Sequence, residues 1–147
     1  MGAALTMLYS TGGGGLAPVV SLIGIDRAPA TGVEVRKVLV VDDERDLADL
    51  AEALLSSHGI EVRVAYGASD ALRILASDHG IDAVFSDVMM PGMTGLQLAD
   101  AIRCLYPSVR IVLTSGFTAP ALFACHRSYP YTAKPYRIET VIRLLSS

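Results

Sequence analysis

The chain has 147 residues and a formal net charge of −3, with 52% hydrophobic residues, 6% aromatics and no Trp. That length suits one domain, and the aliphatic bias suits Val, Ile, Leu and Ala layers of a sheet covered by helices. The balance of charge leaves no electrostatic footprint for nucleic acid, and no apolar run approaches the roughly 20 residues that span a bilayer, so neither is expected as a partner.

Residues 1–35 differ from the rest. They include "TGGGG" and "RAPATG", carry only Asp26, Arg27 and Glu34 as charges, and hold no sustained period of 3.6 or 2. A flexible tail is the first reading, with a mis-assigned start or an unfamiliar small element as alternatives. The folded domain is placed at residues 36–147. The run "LAPVVSLIGI" has no basic residue before it and so lacks the start of a secretory signal, while "MGAALT" fits an N-myristoylation pattern only formally. Cys104 and Cys125 lack metal-ligand spacing and read as buried thiols of a reducing compartment. A cytoplasmic location follows as the expectation.

From Lys37 the pattern becomes regular. "KVLVV" predicts a strand buried on both faces and ends in "DDE". "ERDLADLAEALLSSHG" predicts a helix whose stripe is Leu47, Leu50, Ala51, Leu54 and Leu55, ended by Gly59. "EVRVA" alternates as an edge strand, and "SDALRILASDHG" predicts a helix capped by Ser69 and closed by Gly80. "DAVFS" is a second buried strand, and "TGLQLADAIRCLYP" a third helix with Leu98, Ile102 and Leu105 inward, stopped before Pro107. "RIVLTS" is the fourth strand, residues Thr118 to Arg127 a short helix, "YTA" the fifth strand, and "RIETVIRLLSS" the last helix. Five strands alternating with five helices, joined by right-handed crossovers, make a doubly wound parallel α/β sheet.

In such sheets ligands sit beyond the carboxyl ends of the strands, where the winding reverses. There this chain places Asp42, Asp43 and Glu44, then Asp87, then Thr114 and Ser115, then Lys134. Each has a plain structural reading: Asp42 and Asp43 could cap the first helix, Thr114 could be structural and Lys134 a solvated loop charge. Asp87 is harder to set aside, because a charge delivered by the apolar run "AVF" is costly unless it is needed. Together these groups suit metal-assisted phosphoryl transfer. Clustered carboxylates bind a hard cation such as Mg²⁺, a carboxylate beside it can attack phosphorus, and a hydroxyl and an ammonium neutralise the transferring oxygens.

"VLVVDDE", "VFSDVMMPGMTG", "IVLTS" and "YTAKPY" together resemble, in order and over about residues 37–147, the receiver (response-regulator) domain of bacterial two-component signalling. The resemblance implies sheet order 2-1-3-4-5 and a phosphoryl group accepted on Asp87 from a phosphohistidine of a sensor histidine kinase or histidine phosphotransfer protein. It implies that Asp43, Asp87 and the Met89 carbonyl bind Mg²⁺, with Asp42 assisting, and that Thr114 and Lys134 contact the phosphoryl oxygens. Thr114 and Tyr131 would report phosphorylation to the face made by the fourth helix, fifth strand and fifth helix, where a downstream protein or a second copy in a homodimer would bind. Tyr131 also reads as a half-buried strand residue. A cis peptide at Lys134-Pro135, aiming the lysine inward, is expected on the same ground.

The sequence departs from the family at three places. Thr94 replaces the usual Asp as a helix cap. Met89 stands where family members tune hydrolysis, and its thioether cannot orient a water as an amide or carboxylate could, so Asn or Glu at 89 is expected to alter the aspartyl-phosphate lifetime. "FTAPALFACHRSYP" is more apolar than the usual helix there. His58 and His79 precede helix-ending glycines, where a cation suits the helix dipole, and His126 reads as a surface residue. Met89, Met90 and Met93 are not at metal-ligand spacing and read as packing. The domain is expected to act alone, as a signalling module and not an enzyme, although "LTSGF" also resembles receivers of hybrid kinases. Two rivals stay open: a Mg²⁺-dependent phosphohydrolase, against which the absence of Asp-x-Asp speaks, and a binding module indifferent to phosphorylation.

Overall fold

Short aliphatic runs form five strands and the amphipathic segments between them form helices, in a computed structural model that describes residues 34–116 and 129–147. In chain order these are β1 (Lys37–Val41), α1 (Arg45–Ser56), β2 (Glu61–Ala65), α2 (Ala68–Ser77), β3 (Ala83–Asp87), α3 (Gly95–Leu105), β4 (Arg110–Ser115), β5 (Tyr131–Ala133) and α4 (Ile138–Leu145). All pairings are parallel and the order is β2-β1-β3-β4-β5, the doubly wound arrangement expected. Four of the five expected helices fall among the described residues. The expected helix over Thr118–Arg127, Cys125, His126 and the expected tail as far as residue 33 lie outside them.

Alternation within each strand builds two cores. Leu39, Val41, Val84 and Leu113 face α2 and α3, meeting Ala71, Ile74, Leu75, Leu98 and Ile102. Val38, Val40, Phe85 and Val112 face the other way, onto Ala48, Ala51 and Leu55 of α1 and Val141 and Leu145 of α4. Each buried Val or Leu contributes about 1.5–3 kcal/mol, which is why β1, β3 and β4 carry almost no polar residues until their ends. β2 and β5 lie at the two edges and are only partly buried. At the opposite end from the acidic groups, Asp82 Oδ2 accepts the N–H groups of Arg36 and Lys37 at 2.9 and 3.0 Å, which pins the start of β1.

Four details differ from the sequence-based expectation. In α1 the buried stripe is Ala48, Ala51 and Leu55, whereas Leu50 is 53% exposed, because the helix turns its small residues to the tightly packed sheet. Leu105 is 62% exposed at the end of α3, beyond the last contact with the core. Ser69 lies inside α2, whose N-cap is Gly67, and the helix stops at Ser77, before Gly80. Cys104 is exposed. Other terminal signals hold: Gly59 has φ +81 just past α1, Thr94 and Gln97 form a capping box on α3, and His58 Nδ1 lies 3.0 Å from the Leu54 carbonyl oxygen in the last turn of α1.

Candidate functional site

Strand register brings the scattered polar groups to one edge. β1 pairs Val41 with Ser86, so Asp42 leaves its strand beside Asp87; β3 pairs Asp87 with Thr114; and β4 pairs Ser115 with Ala133, so that Lys134 follows directly. The sheet order reverses at β1, with β2 on one side and β3 on the other, and the crevice at such a reversal is where doubly wound sheets hold ligands.

Asp42 and Asp87 are each only 5% exposed, while Asp43 is exposed. One carboxylate oxygen from each of the three lies within 4.8 Å of the others. Lys134 Nζ donates to Asp42 Oδ2 at 3.0 Å and pairs with Asp87 Oδ2 at 3.5 Å. Asp42 Oδ1 accepts the N–H of Glu44 at 2.9 Å, a local turn that stops short of the helix. Glu44 occupies the N-cap of α1 without a side-chain capping bond, and its side chain is exposed. The Met89 N–H donates to Asp87 Oδ1 at 3.4 Å. Tyr131, half-buried, directs its hydroxyl to the Ser115 carbonyl at 3.5 Å, and that carbonyl also accepts the Lys134 N–H at 3.0 Å. The Lys134-Pro135 peptide is cis.

Among the described residues Thr114 Oγ1 is the one buried side-chain polar atom with no hydrogen-bond partner. A buried hydroxyl left unpaired costs about 1–3 kcal/mol, so an atom of this kind marks a place for a ligand acceptor.

Burial pushes the Asp87 carboxyl above its ordinary value; Lys134 opposes the rise and the charge of Asp42 adds to it. Burial alone would lower the Lys134 ammonium, but its hydrogen bond to Asp42 and the charges of Asp87 and Asp42 outweigh that and raise it. The Tyr131 hydroxyl is raised by burial and then by the nearby Asp87 charge. Three converging carboxylates against one ammonium leave an excess of negative charge on oxygen donors. That donor set fits a hard divalent cation of the Mg²⁺ kind.

Three further residues support the site. Gly95 begins α3 so close to β3 that a Cβ there would lie 2.1 Å from the Asp87 carbonyl oxygen, and its N–H donates to the Val88 carbonyl at 2.9 Å. Ser86 Oγ donates to the Asp87 carbonyl at 2.9 Å. Tyr136 sets its ring edge-on to Phe85 at 5.1 Å beneath the site. The Pro-Gly and Gly95 spacing signals the turn; the other two contacts escape the sequence, one being a side-chain rotamer beside Asp87 and the other a ring packing across the fold.

The family model described as "Response regulator receiver domain" matches residues 38–138. The chain belongs to that family. A receiver domain of this kind is a module of two-component signalling. This receiver is 33% identical over 113 residues to a putative response regulator, NtrX-like, of Rickettsia bellii (strain RML369-C), over 74% of this chain and 23% of the relative, so it spans about a quarter of that protein's length. Among solved structures it is similar to the response regulator TrrA of Thermotoga maritima in complex with Mg²⁺-BeF (29% identity, TM-score 0.67, 75% of this chain and 99% of that one). It is also similar to the chemotaxis protein CheY4 of Vibrio cholerae (27%, 0.68, 76% and 100%). No helix among the described residues is long and apolar enough to cross a membrane.

Proposed function

We propose that this receiver domain, taken as residues 36–147, accepts a phosphoryl group on Asp87 from a phosphohistidine and signals through a protein contact that changes with phosphorylation. The observation that carries the reading is the unpaired Thr114 hydroxyl, buried at the same edge as the carboxylate cluster. Asp87 is the nucleophile: a carboxylate oxygen forms the new bond to phosphorus as the phosphorus–nitrogen bond of the donor breaks and the imidazole leaves. Thr114 donates its hydroxyl hydrogen to a phosphoryl oxygen and so gains the partner it lacks. Lys134, already within 3.5 Å of Asp87, neutralises a second oxygen.

Asp43, Asp87 and the Met89 carbonyl would hold Mg²⁺, with Asp42 assisting; the cation supplies charge neutralisation between the carboxylates and the incoming phosphoryl group. The likeness to a Thermotoga maritima regulator whose structure contains Mg²⁺-BeF supports this reading. Asp42 also holds Lys134 in place, and Ser115, through its carbonyl, orients both Lys134 and Tyr131. Tyr131 and Thr114 are the residues whose movement would carry the signal to the β5–α4 side, where a partner protein or a second copy binds. The donor is a sensor histidine kinase or a histidine phosphotransfer protein, which this domain would meet in the cytoplasm.

The test is incubation with Mg²⁺ and acetyl phosphate, followed by intact mass measurement of wild type and Asp87→Asn. A stoichiometric, alkali-labile adduct lost in the variant is expected. Multiple turnover of phosphomonoesters would instead identify a hydrolase, and neither result a binding module indifferent to phosphate.

A further inference from the structure

We propose that Met89 is a redox modification site whose sulfoxide shortens the life of the Asp87 acyl phosphate, an inference that rests on the phosphoacceptor reading above. The chain leaves β3 through "VMMPGM", which holds three of its five methionines. Their environments differ. Met90 is 7% exposed and belongs to the core that includes Leu96 and Leu98, whereas Met89 is 49% and Met93 38% exposed. Met89 is also tied to the acidic pocket, because its N–H reaches Asp87 Oδ1.

Solvent access governs methionine oxidation, so a hydroperoxide reaches Met89 and Met93 while packing shields Met90. In the step a sulfur lone pair attacks a peroxide oxygen, the S–O bond forms as the O–O bond breaks, sulfur loses two electrons and hydrogen peroxide leaves as water. A thiol-dependent sulfoxide reductase reverses the change.

The chemical effect is large because of what surrounds the site. From Val88 to Met93 the loop carries no oxygen or nitrogen in any side chain, and the first hydroxyl after it, Thr94, is occupied as the cap that receives the Gln97 N–H. A thioether is a weak acceptor. The sulfoxide oxygen is a strong one, and on residue 89 it would be the first side-chain acceptor of this loop able to hold a water beside the acyl phosphate.

The experiment phosphorylates the full chain with acetyl phosphate and Mg²⁺ before and after limited hydrogen peroxide treatment, maps oxidation by peptide mass, and follows decay of the adduct. Met89 and Met93 are expected to gain about 16 Da each ahead of Met90, and decay to quicken about two- to tenfold, the range one placed hydrogen bond supplies. Met89→Leu, which keeps both cysteines, should decay at one rate with or without peroxide, and Met93→Leu should stay sensitive. Equal decay after complete oxidation of Met89, or sensitivity that survives in Met89→Leu, overturns the proposal and leaves the phosphoacceptor reading standing. Absence of any adduct in unoxidised protein overturns that reading, and this proposal with it.

Discussion

The Lys134 ammonium and the Asp42 carboxylate, 92 residues apart in sequence, meet at 3.0 Å, and the same ammonium stands 3.5 Å from Asp87. One cation therefore offsets two buried carboxylates. Lys134→Met leaves both uncompensated and is expected to lower stability by about 3–5 kcal/mol, the cost of breaking such a pair. Because Lys134 restrains the rise of the Asp87 carboxyl, that group should titrate at still higher pH in the variant. Carbon-13 chemical shifts of the Asp87 carboxyl against pH read this directly; an unchanged titration would contradict the geometry.

Asp87 itself weakens the fold at neutral pH. Burial raises its carboxyl above 3.8, so the folded state holds that proton more tightly than the unfolded chain. Stability then falls as pH rises through the window between 3.8 and the raised value, and the penalty is complete above that window. Asp87→Asn should raise Tm at pH 7, with the gain fading as pH is lowered toward and below 3.8. Mg²⁺ should raise the wild-type Tm more than that of the variant. A variant no more stable than wild type at pH 7 would sink this account.

Thr114 separates function from stability. Replacing its unpaired buried hydroxyl by a methyl group in Thr114→Val is expected to stabilise the protein by about 1 kcal/mol in urea denaturation. Adduct formation from acetyl phosphate should slow in the same variant, since the phosphoryl oxygen loses its donor. Destabilisation would mean that the hydroxyl finds a partner in solution.

Gly95 holds the phosphoacceptor's backbone in place by having no side chain. A Cβ would meet the Asp87 carbonyl oxygen at 2.1 Å and Val88 Cα at 2.8 Å, both backbone atoms that can yield only by moving β3 or α3. Gly95→Ala is expected to cost about 2 kcal/mol or more. It should also reduce the rise in Tm that Mg²⁺ produces, because Asp87 moves with its backbone. A full Mg²⁺ response in a folded Gly95→Ala protein would show that the contact is structural only.

Much of the molecule is legible along the chain. Buried β-branched runs with a period of 2, and helices with a period of 3.6, follow from local side-chain geometry, so strand number, crossovers and sheet class can be read before any coordinates. A carboxylate at the end of "AVF" is legible for an energetic reason: burying it is costly enough that its presence carries information. Sequence also identified Thr94 as the cap of α3, because a cap acts within one turn; its Gln97 partner came from the structure.

Contacts made across the sheet were decided by the tertiary structure. The apolar stripe of α1 was drawn through Leu50, yet the sheet takes the helix by Ala48 and Ala51; periodicity defines an arc wider than the buried face, and only packing distance chooses within it. Leu105 and Ser69 were misplaced for related reasons, one beyond the reach of the core and the other one turn-position inside a helix that Gly67 begins. The Lys134 bridge, the lone Thr114 hydroxyl and the close seat of Gly95 depend on register between strands distant in sequence. Local pattern therefore determined which elements form and which strand ends carry charge, while the pairing of parallel strands decided which of those charges meet.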